Sequence, residues 1–253
     1  DLIEPAGSWA GDHPVYRFHH VLIRDAAYRR LLKARRADLH EQIGNHLAST
    51  DASDELDVTI AHHYESAHAY RSDLGIVDDD TAVLAAEAAR RLQSAAVSAL
   101  AQEDLAASGS SALRALALVG DGDDRDELLT LGCEALLSSG DVAGGGPLVD
   151  ELVERTSDPR LAAWADCFRA QLWSLTDSER LVEAAELADA AAGVLAELGD
   201  DAGVAKARLV RASTLARLGR VGDCEAERDR ARAAARAAGD RRRTIAVRGA
   251  APV

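Results

Sequence analysis

The chain has 253 residues and a formal net charge of −14, and an acidic balance of this size disfavours nonspecific nucleic-acid binding by the whole chain. Its three cysteines, Cys133, Cys167 and Cys224, lie far apart without CxxC spacing, which argues against a zinc site or disulfide framework and favours a reducing cytoplasm. No apolar run approaches the roughly 20 residues of a membrane span.

The first predicted elements are a β-hairpin and a helix. Alternating apolar residues at 15–18 follow a loop rich in glycine and proline, which predicts a hairpin within residues 1–18. The apolar spacing then becomes helical over 20–32. Two further helices are predicted at 34–48 and 56–71.

The remainder of the chain has the pattern of helical hairpins. The predicted helix pairs are 84–100 with 104–119, 126–138 with 143–156, 159–175 with 179–198, and 201–218 with 221–238. Gly199-Asp200 and Gly239-Asp240 separate hairpins and lie 40 residues apart. A helix pair that recurs at this interval is typical of a tetratricopeptide-like solenoid.

Several residues weaken this repeat pattern. Gly109 inside a helix costs about 1 kcal/mol relative to alanine, and the Gly144–Pro147 run should delay or distort a helix start. Glu227 and Arg230 stand where apolar residues are expected, so the last hairpin is either a polar cap or a weakly docked end. Leu131-Gly132, by contrast, fits a position where a small residue lets two helices approach closely.

Catalytic and metal motifs are weak. The residue four positions after His40 is Gly44, so the zincin spacing fails. His63 and Glu65 do not share a helix face, which favours a surface or interface role for the histidine-rich stretch at 62–68, although a hydrolase using it remains an alternative. No Gly-Lys-(Ser/Thr) follows the glycine run, and no Gly-x-Ser-x-Gly occurs. We therefore predict no enzyme activity and no metal site for these residues.

Two segments carry a resemblance to a known family. Phe18-His19-His20-Val21-Leu22-Ile23-Arg24, followed by Arg35-Arg36-Ala37-Asp38-Leu39-His40, resembles the winged-helix segment that closes the nucleotide-binding unit of AAA/STAND-type bacterial signalling ATPases. Residues 61–75 resemble the segment that joins this winged helix to tetratricopeptide-like repeats in the branch linked to nucleotide cyclases. A LuxR-type ATP-dependent transcriptional regulator is the alternative branch.

The resemblance implies roles for two residues. His20 matches a family histidine that faces the bound diphosphate, and Arg24 lies one turn later, where it could assist electrostatically or pair with Asp25, Glu41 or solvent. The alternative for His20 is a helix-capping or core histidine. The basic residues of this region favour either a face beside the nucleotide or a solvated helix surface; they are Arg17, Arg24, Arg29, Arg30, Lys33, Arg35 and Arg36.

The resulting prediction is an all-α cytoplasmic region of a longer protein, since the chain has no methionine. It comprises a winged-helix remnant with a short β-hairpin (1–50), a helical linker (51–80), tetratricopeptide-like repeats (81–240) and a disordered tail (241–253). By the resemblance, ATP or ADP and Mg are expected in the full-length protein and no cofactor in this region. The expected partners are a protein, peptide or small effector on the repeats and the upstream ATPase domain of the same chain, with no membrane or direct nucleic-acid contact.

Overall fold

A computed structural model describes residues 2–9, 13–50, 56–155 and 158–239. The chain divides into two compact units, residues 1–95 and 96–253. Apart from one β-hairpin, the described elements are helices, which confirms the predicted all-α class. The predicted tail at 241–253 lies outside the described residues. None of the described helices has an apolar stretch long enough to cross a bilayer.

The first unit begins with the predicted hairpin, but part of the stretch predicted as its loop is strand, since Pro5 and Gly7 lie in the first strand and Pro14 lies in the second. Strands β1 (Ile3–Trp9) and β2 (His13–Phe18) pair antiparallel, with Ile3 opposite Phe18, and the register shifts between Pro5 and Ser8. Helix α1 (Val21–Arg30) follows directly and has no buried residue. Its apolar side chains Val21 and Leu22 are exposed.

The core of the first unit lies between two longer helices. Helices α2 (Lys33–Ala48) and α3 (Asp57–Asp73) pack against each other through small and aliphatic residues. Gly44 of α2 permits this approach, because a Cβ atom there would lie 2.7 Å from the ring of Tyr64. Helix α4 (Asp79–Ala101) runs across the division between the units, and its buried Arg91 pairs with the buried Asp57 at 2.8 Å.

The second unit is a stack of α-hairpins. Its helices are α5 (Leu105–Leu116), α6 (Asp123–Ser139), α7 (Val142–Arg155), α8 (Pro159–Thr176), α9 (Leu181–Glu197), α10 (Asp201–Arg217) and α11 (Val221–Ala237). Each helix packs on the next one, and α8 also packs on α6 and α10, the first helices of the flanking hairpins. This pattern, in which each hairpin contacts its neighbours, confirms the predicted tetratricopeptide-like repeat architecture.

Glycine and aspartate form the turns. Gly140 ends α6 with φ at +82°, and Gly199 lies between α9 and α10 with φ at +71°, a region that glycine enters without steric strain. Asp200 then caps α10, since its carboxylate accepts from the Gly203 amide at 2.9 Å.

Small residues make the helix seams narrow. One seam, between α8, α9 and α10, is built from buried alanines with Cys167, Leu195 and Val210. Gly132 of α6 faces α7, where a Cβ atom would lie 2.7 Å from Leu148 Cδ1, as the sequence pattern predicted. Gly109 has the same role in α5, since a Cβ there would lie 2.7 Å from Leu136 Cδ2. Gly109 lowers the helix propensity of α5, but it allows α5 to pack closely against Leu136 of α6.

The expected disturbance at the Gly144–Pro147 run is not found at the helix start. Helix α7 begins at Val142, ahead of the glycines, and includes Pro147. The Asp141 carboxylate accepts from the Gly144 amide at 2.9 Å, which stabilises the first turn. Gly145 packs against Leu137, so this glycine permits close contact between α6 and α7.

Candidate functional site

A cleft of about 490 Å³ lies in the first unit between α1 and α3. Its lining residues are Arg24, Asp25, Tyr28, His40, His62, Ser66 and Tyr70. The α3 residues His62, Ser66 and Tyr70 follow one another at four-residue intervals, so they form one stripe along the helix. On α1, Arg24 and Tyr28 have the same spacing.

A row of hydrogen bonds connects the helices at this cleft. The Tyr28 hydroxyl lies 2.9 Å from the Tyr70 hydroxyl and 2.8 Å from His40 Nε2. On its other side, His40 Nδ1 lies 2.9 Å from His63 Nδ1. The row therefore runs from Tyr70 through Tyr28 and His40 to His63 and joins α1, α2 and α3.

The row permits two arrangements of its protons. Because two Nδ1 atoms share one hydrogen bond, only one of them carries the proton. If His63 donates, neutral His40 holds its proton on Nε2 and donates to Tyr28. If His40 donates from Nδ1, Tyr28 donates to His40 Nε2 and accepts from Tyr70.

Burial and the neighbouring rings favour neutral imidazoles. Burial, followed by the charges that His63 and His62 would carry, lowers the pKa of His40 from 6.5 to about 4. Burial and His62 also lower the pKa of His63. Burial and the hydrogen bond with Tyr70 raise the pKa of Tyr28 to about 12, whereas the hydrogen bonds with Tyr28 and Arg36 lower the pKa of Tyr70.

Arg36 places a cation against the two tyrosines. Its guanidinium lies 4.8 Å from the centre of the Tyr28 ring and 5.6 Å from that of the Tyr70 ring. It donates to the carbonyl oxygens of Arg29 at 2.8 Å and Leu31 at 3.1 Å. These acceptors are neutral, so the guanidinium keeps its positive charge beside Tyr28 and Tyr70, which line the cleft, whereas Arg36 itself does not.

The two site residues that the sequence predicted, His20 and Arg24, have different positions in the structure. His20 caps α1, because its Nδ1 accepts from the Leu22 amide at 3.1 Å, and it does not line the cleft. Arg24 lines the cleft and donates to Asp25 from Nε and a terminal nitrogen at 3.0 and 2.8 Å. Nucleotide sensing by either residue stays a prediction.

The local sequence pattern does not predict that His40, His62 and His63 come together with Tyr28 and Tyr70. The partners lie 12 to 42 positions apart along the chain, so helix periodicity could not identify them. The family resemblance did point to this region, because one of the two resembling segments contains His40 and the other contains His63 and Tyr70. Within the described ranges, no group of three or more His, Cys, Asp or Glu side chains is arranged to hold a metal ion.

Buried charges also connect helices of the second unit. Lys206 of α10 pairs with Glu134 of α6 at 3.1 Å, and both residues are buried. The Lys206 ammonium also lies 5.6 Å from the centre of the Phe168 ring of α8. The ion pair thus joins α6 to α10, which are the first helices of two hairpins separated by the hairpin of α8 and α9.

The last hairpin is joined to its neighbours by a second charged cluster. Glu227 of α11 is buried and pairs with Arg208 and Arg211 of α10, each at 3.2 Å, and with Arg230 of its own helix. Asp189 of α9 pairs with the same two α10 arginines. The polar residues that weakened the sequence pattern therefore supply ionic contacts at this interface.

No protein-family model matches the chain, and no curated protein matches it. One similar solved structure is the crystal structure of Rap protein complexed with competence and sporulation factor, with a TM-score of 0.48 and 14% sequence identity. The alignment covers 88% of this chain and 60% of that chain, so the present chain spans less than two thirds of that protein. The fold assignment rests on the helix packing described above.

Proposed function

We propose that this chain is the regulatory and protein-interaction region of a multidomain signalling ATPase. In this proposal, a protein, peptide or small effector binds the helical repeats and thereby changes the nucleotide-binding module upstream. The observation that carries the proposal is the packing of α8 against both α6 and α10, because hairpins stacked in this way present one extended surface built from successive repeats.

The chemistry of the repeat surface supports binding of a peptide or protein. Trp164 and Trp173 of α8 are half-buried, so each combines a packed ring with a surface that a partner can contact. Arg180 lies 3.2 Å from the centre of the Trp173 ring, which places a cation beside this aromatic side chain. Tryptophan and arginine are enriched among the residues that dominate binding energies at protein interfaces.

The proposed coupling to nucleotide begins at His20. Because its Nδ1 accepts from the Leu22 amide, the neutral ring carries its proton on Nε2, which can donate to a phosphate oxygen. Arg24 retains a terminal nitrogen beyond those that bind Asp25. The two residues therefore fit phosphate oxygens of ATP or ADP as donors. The nucleotide and its Mg would supply the charge to which this region responds in the full-length protein.

The family-like segment at 61–75 favours a cyclase as the output domain. The alternative is the repeat scaffold or effector-sensing part of a LuxR-type transcriptional regulator, and a scaffold without any nucleotide coupling is a further possibility. The residues that distinguish coupling from scaffolding are those at the start of α1.

A pair of substitutions in the full-length protein tests the coupling. His20→Asn keeps a side-chain oxygen that can cap α1 but removes the imidazole, whereas His20→Ala removes both. The neighbouring exposed His19→Asn is the matched control. Nucleotide exchange is measured by release of a fluorescent ADP analogue, alongside the output activity.

The proposal predicts altered exchange in both His20 variants and wild-type exchange in the His19 control. Wild-type exchange in His20→Asn, with an effect only in His20→Ala, would assign His20 to helix capping alone. Unchanged exchange and unchanged output in both His20 variants would favour a scaffold without nucleotide coupling.

A further inference from the structure

The cleft between α1 and α3 has hydrogen-bonding groups that the protein itself does not use. Among the described residues, no hydrogen bond engages the Ser66 hydroxyl or the ring nitrogens of His62, although both residues line the cleft. His62 is exposed and contacts the rings of His40 and His63 at centroid distances of 6.0 and 5.6 Å. Both side chains can therefore donate to an incoming ligand without breaking an existing bond.

The cationic groups favour a negatively charged ligand. Arg24 pairs with Asp25, but their side chains are 59% and 40% exposed, and an exposed pair of this kind contributes little and exchanges partners readily. Arg36 stacks on Tyr28 and donates to carbonyl oxygens, so its charge is not cancelled by these acceptors. The lining itself contains one arginine and one carboxylate, Arg24 and Asp25, and the guanidinium of Arg36, stacked on Tyr28, adds a positive charge beside the cleft.

The position of the donors defines the ligand chemistry. Arg24 is on the α1 wall, whereas His62 and Ser66 are one helical turn apart on the α3 wall. The hydrogen bond of Tyr28 with Tyr70 joins the two walls, and that of Tyr28 with His40 connects α1 to α2. Three donors that converge from two walls suit an oxyanion with several acceptor atoms.

We infer that this cleft binds the phosphate or carboxylate group of a small metabolite. Arg24, His62 and Ser66 donate to the oxyanion, and Asp25 is displaced from Arg24 when the ligand enters. The cleft volume of about 490 Å³ falls within the range of metabolite-sized sites and exceeds what a single inorganic anion requires. His20 does not line this cleft, so binding here shares only Arg24 with the proposed nucleotide contact and does not depend on coupling to ATP.

The test is a titration of the chain with inorganic phosphate and, in a parallel experiment, with acetate. Histidine side-chain resonances are followed by NMR at constant ionic strength, and His62 is assigned from the spectrum of His62→Asn. We expect a saturable shift of the His62 resonance with at least one anion. Tighter binding of phosphate identifies a phosphorylated ligand, and tighter binding of acetate identifies a carboxylate.

Variants locate the binding site. Ser66→Ala and Arg24→Gln should each lower the affinity for the tighter-binding anion by roughly tenfold, because each substitution removes a hydrogen bond to a charged group. Ser72→Ala on α3 and Arg30→Gln on α1 are the matched controls, since both residues are exposed and lie outside the cleft lining. Circular dichroism establishes that each variant is folded.

The inference is overturned if neither anion produces a saturable shift of His62. It is equally overturned if folded Ser66→Ala and Arg24→Gln bind the anion as tightly as the wild-type chain does.

Discussion

At the residue scale, His40 couples the packing of α2 against α3 to the protonation of the protein. The folded chain lowers the pKa of His40 to about 4 from an ordinary 6.5, because burial and the adjacent histidines oppose a positive charge. The neutral ring therefore contributes its full stabilisation above pH 6.5. Between pH 6.5 and 4 the unfolded chain binds a proton that the folded chain does not, so this contribution is lost as the pH falls.

Acidification should therefore destabilise the first unit. Lowering the pH from 7.5 to 5.0 should reduce the free energy of unfolding by about 1–2 kcal/mol through His40, after a discount for its partial exposure. Urea denaturation at the two pH values measures the change. Carboxylates also respond to acid, so the comparison is with His40→Gln, in which the dependence on pH should be shallower. If the free energy of unfolding depended equally on pH in the wild-type chain and in His40→Gln, His40 would not be the source of the effect.

Glu227 is the residue at which a polar side chain holds a helix in place. It is buried in the interface between α10 and α11, and arginines from both helices neutralise it. Removing one partner of a buried ionic cluster leaves the remaining charges in a poorly solvated position. The cluster thus adds ionic contacts to the apolar ones of α11, whose other buried residues are Cys224, Ala231 and Ala235.

Glu227→Ala should lower the free energy of unfolding by about 3 kcal/mol. Hydrogen exchange should also become faster along α11, because this helix would lose its ionic contacts to α10. The control is Glu225→Ala on the exposed face of the same helix, which should change stability by less than about 0.5 kcal/mol. Equal, small effects of the two substitutions would show that the buried cluster does not hold α11.

At the scale of elements, glycines inside helices set how closely neighbouring helices approach. Gly132 has no room for a Cβ atom beside Leu148, whereas a Cβ at Gly193 of α9 would meet no atom within 4 Å. Both residues lie inside helices, where alanine has the higher propensity. The two positions therefore separate the effect of packing from the effect of helix propensity.

Substitutions at these two glycines should act in opposite directions. Gly132→Ala should destabilise the protein by about 1–2 kcal/mol, since Leu148 must move to accommodate the new methyl group. Gly193→Ala should stabilise it by about 0.5–1 kcal/mol. Thermal unfolding followed by circular dichroism measures both. A stabilising Gly132→Ala would mean that the seam between α6 and α7 is looser than described.

How far the sequence predicts these elements depends on the range of the interactions. Helix bounds follow from apolar spacing and from Gly-Asp turns, which are local, and the last three predicted hairpins match the observed helices within a few residues. The start of α7 did not follow from propensity, because close packing at Gly145 and the Asp141 cap outweigh the cost of the glycines. Local patterns could not place Tyr28 against Tyr70, since 42 positions separate them.

The same limit applies to the candidate site. The motif drew attention to His20 and Arg24, and the structure shows one as a helix cap and the other as a cleft residue. The polar groups that fill the cleft come from three helices, so their convergence depends on the packing of α2 and α3. A pattern in one segment contains no information about that convergence.

At the scale of the whole molecule, charge is distributed unevenly along the chain. Residues 2–36 contain seven arginine and lysine residues against three acidic ones, a net charge of +4, whereas the complete chain carries −14. The second unit contains the stacked hairpins, and a surface built from repeats changes when neighbouring hairpins shift. This division of properties suits a region that contacts a nucleotide-dependent module near its start and a partner along its repeats.

The most direct test of that account is hydrogen exchange of the full-length protein bound to ADP and, separately, to a non-hydrolysable ATP analogue. The account predicts that exchange rates differ between the two states at residues 20–40 and also along helices α6–α11, because a change at the nucleotide must reach the repeats. Identical exchange along α6–α11 in both states would contradict it.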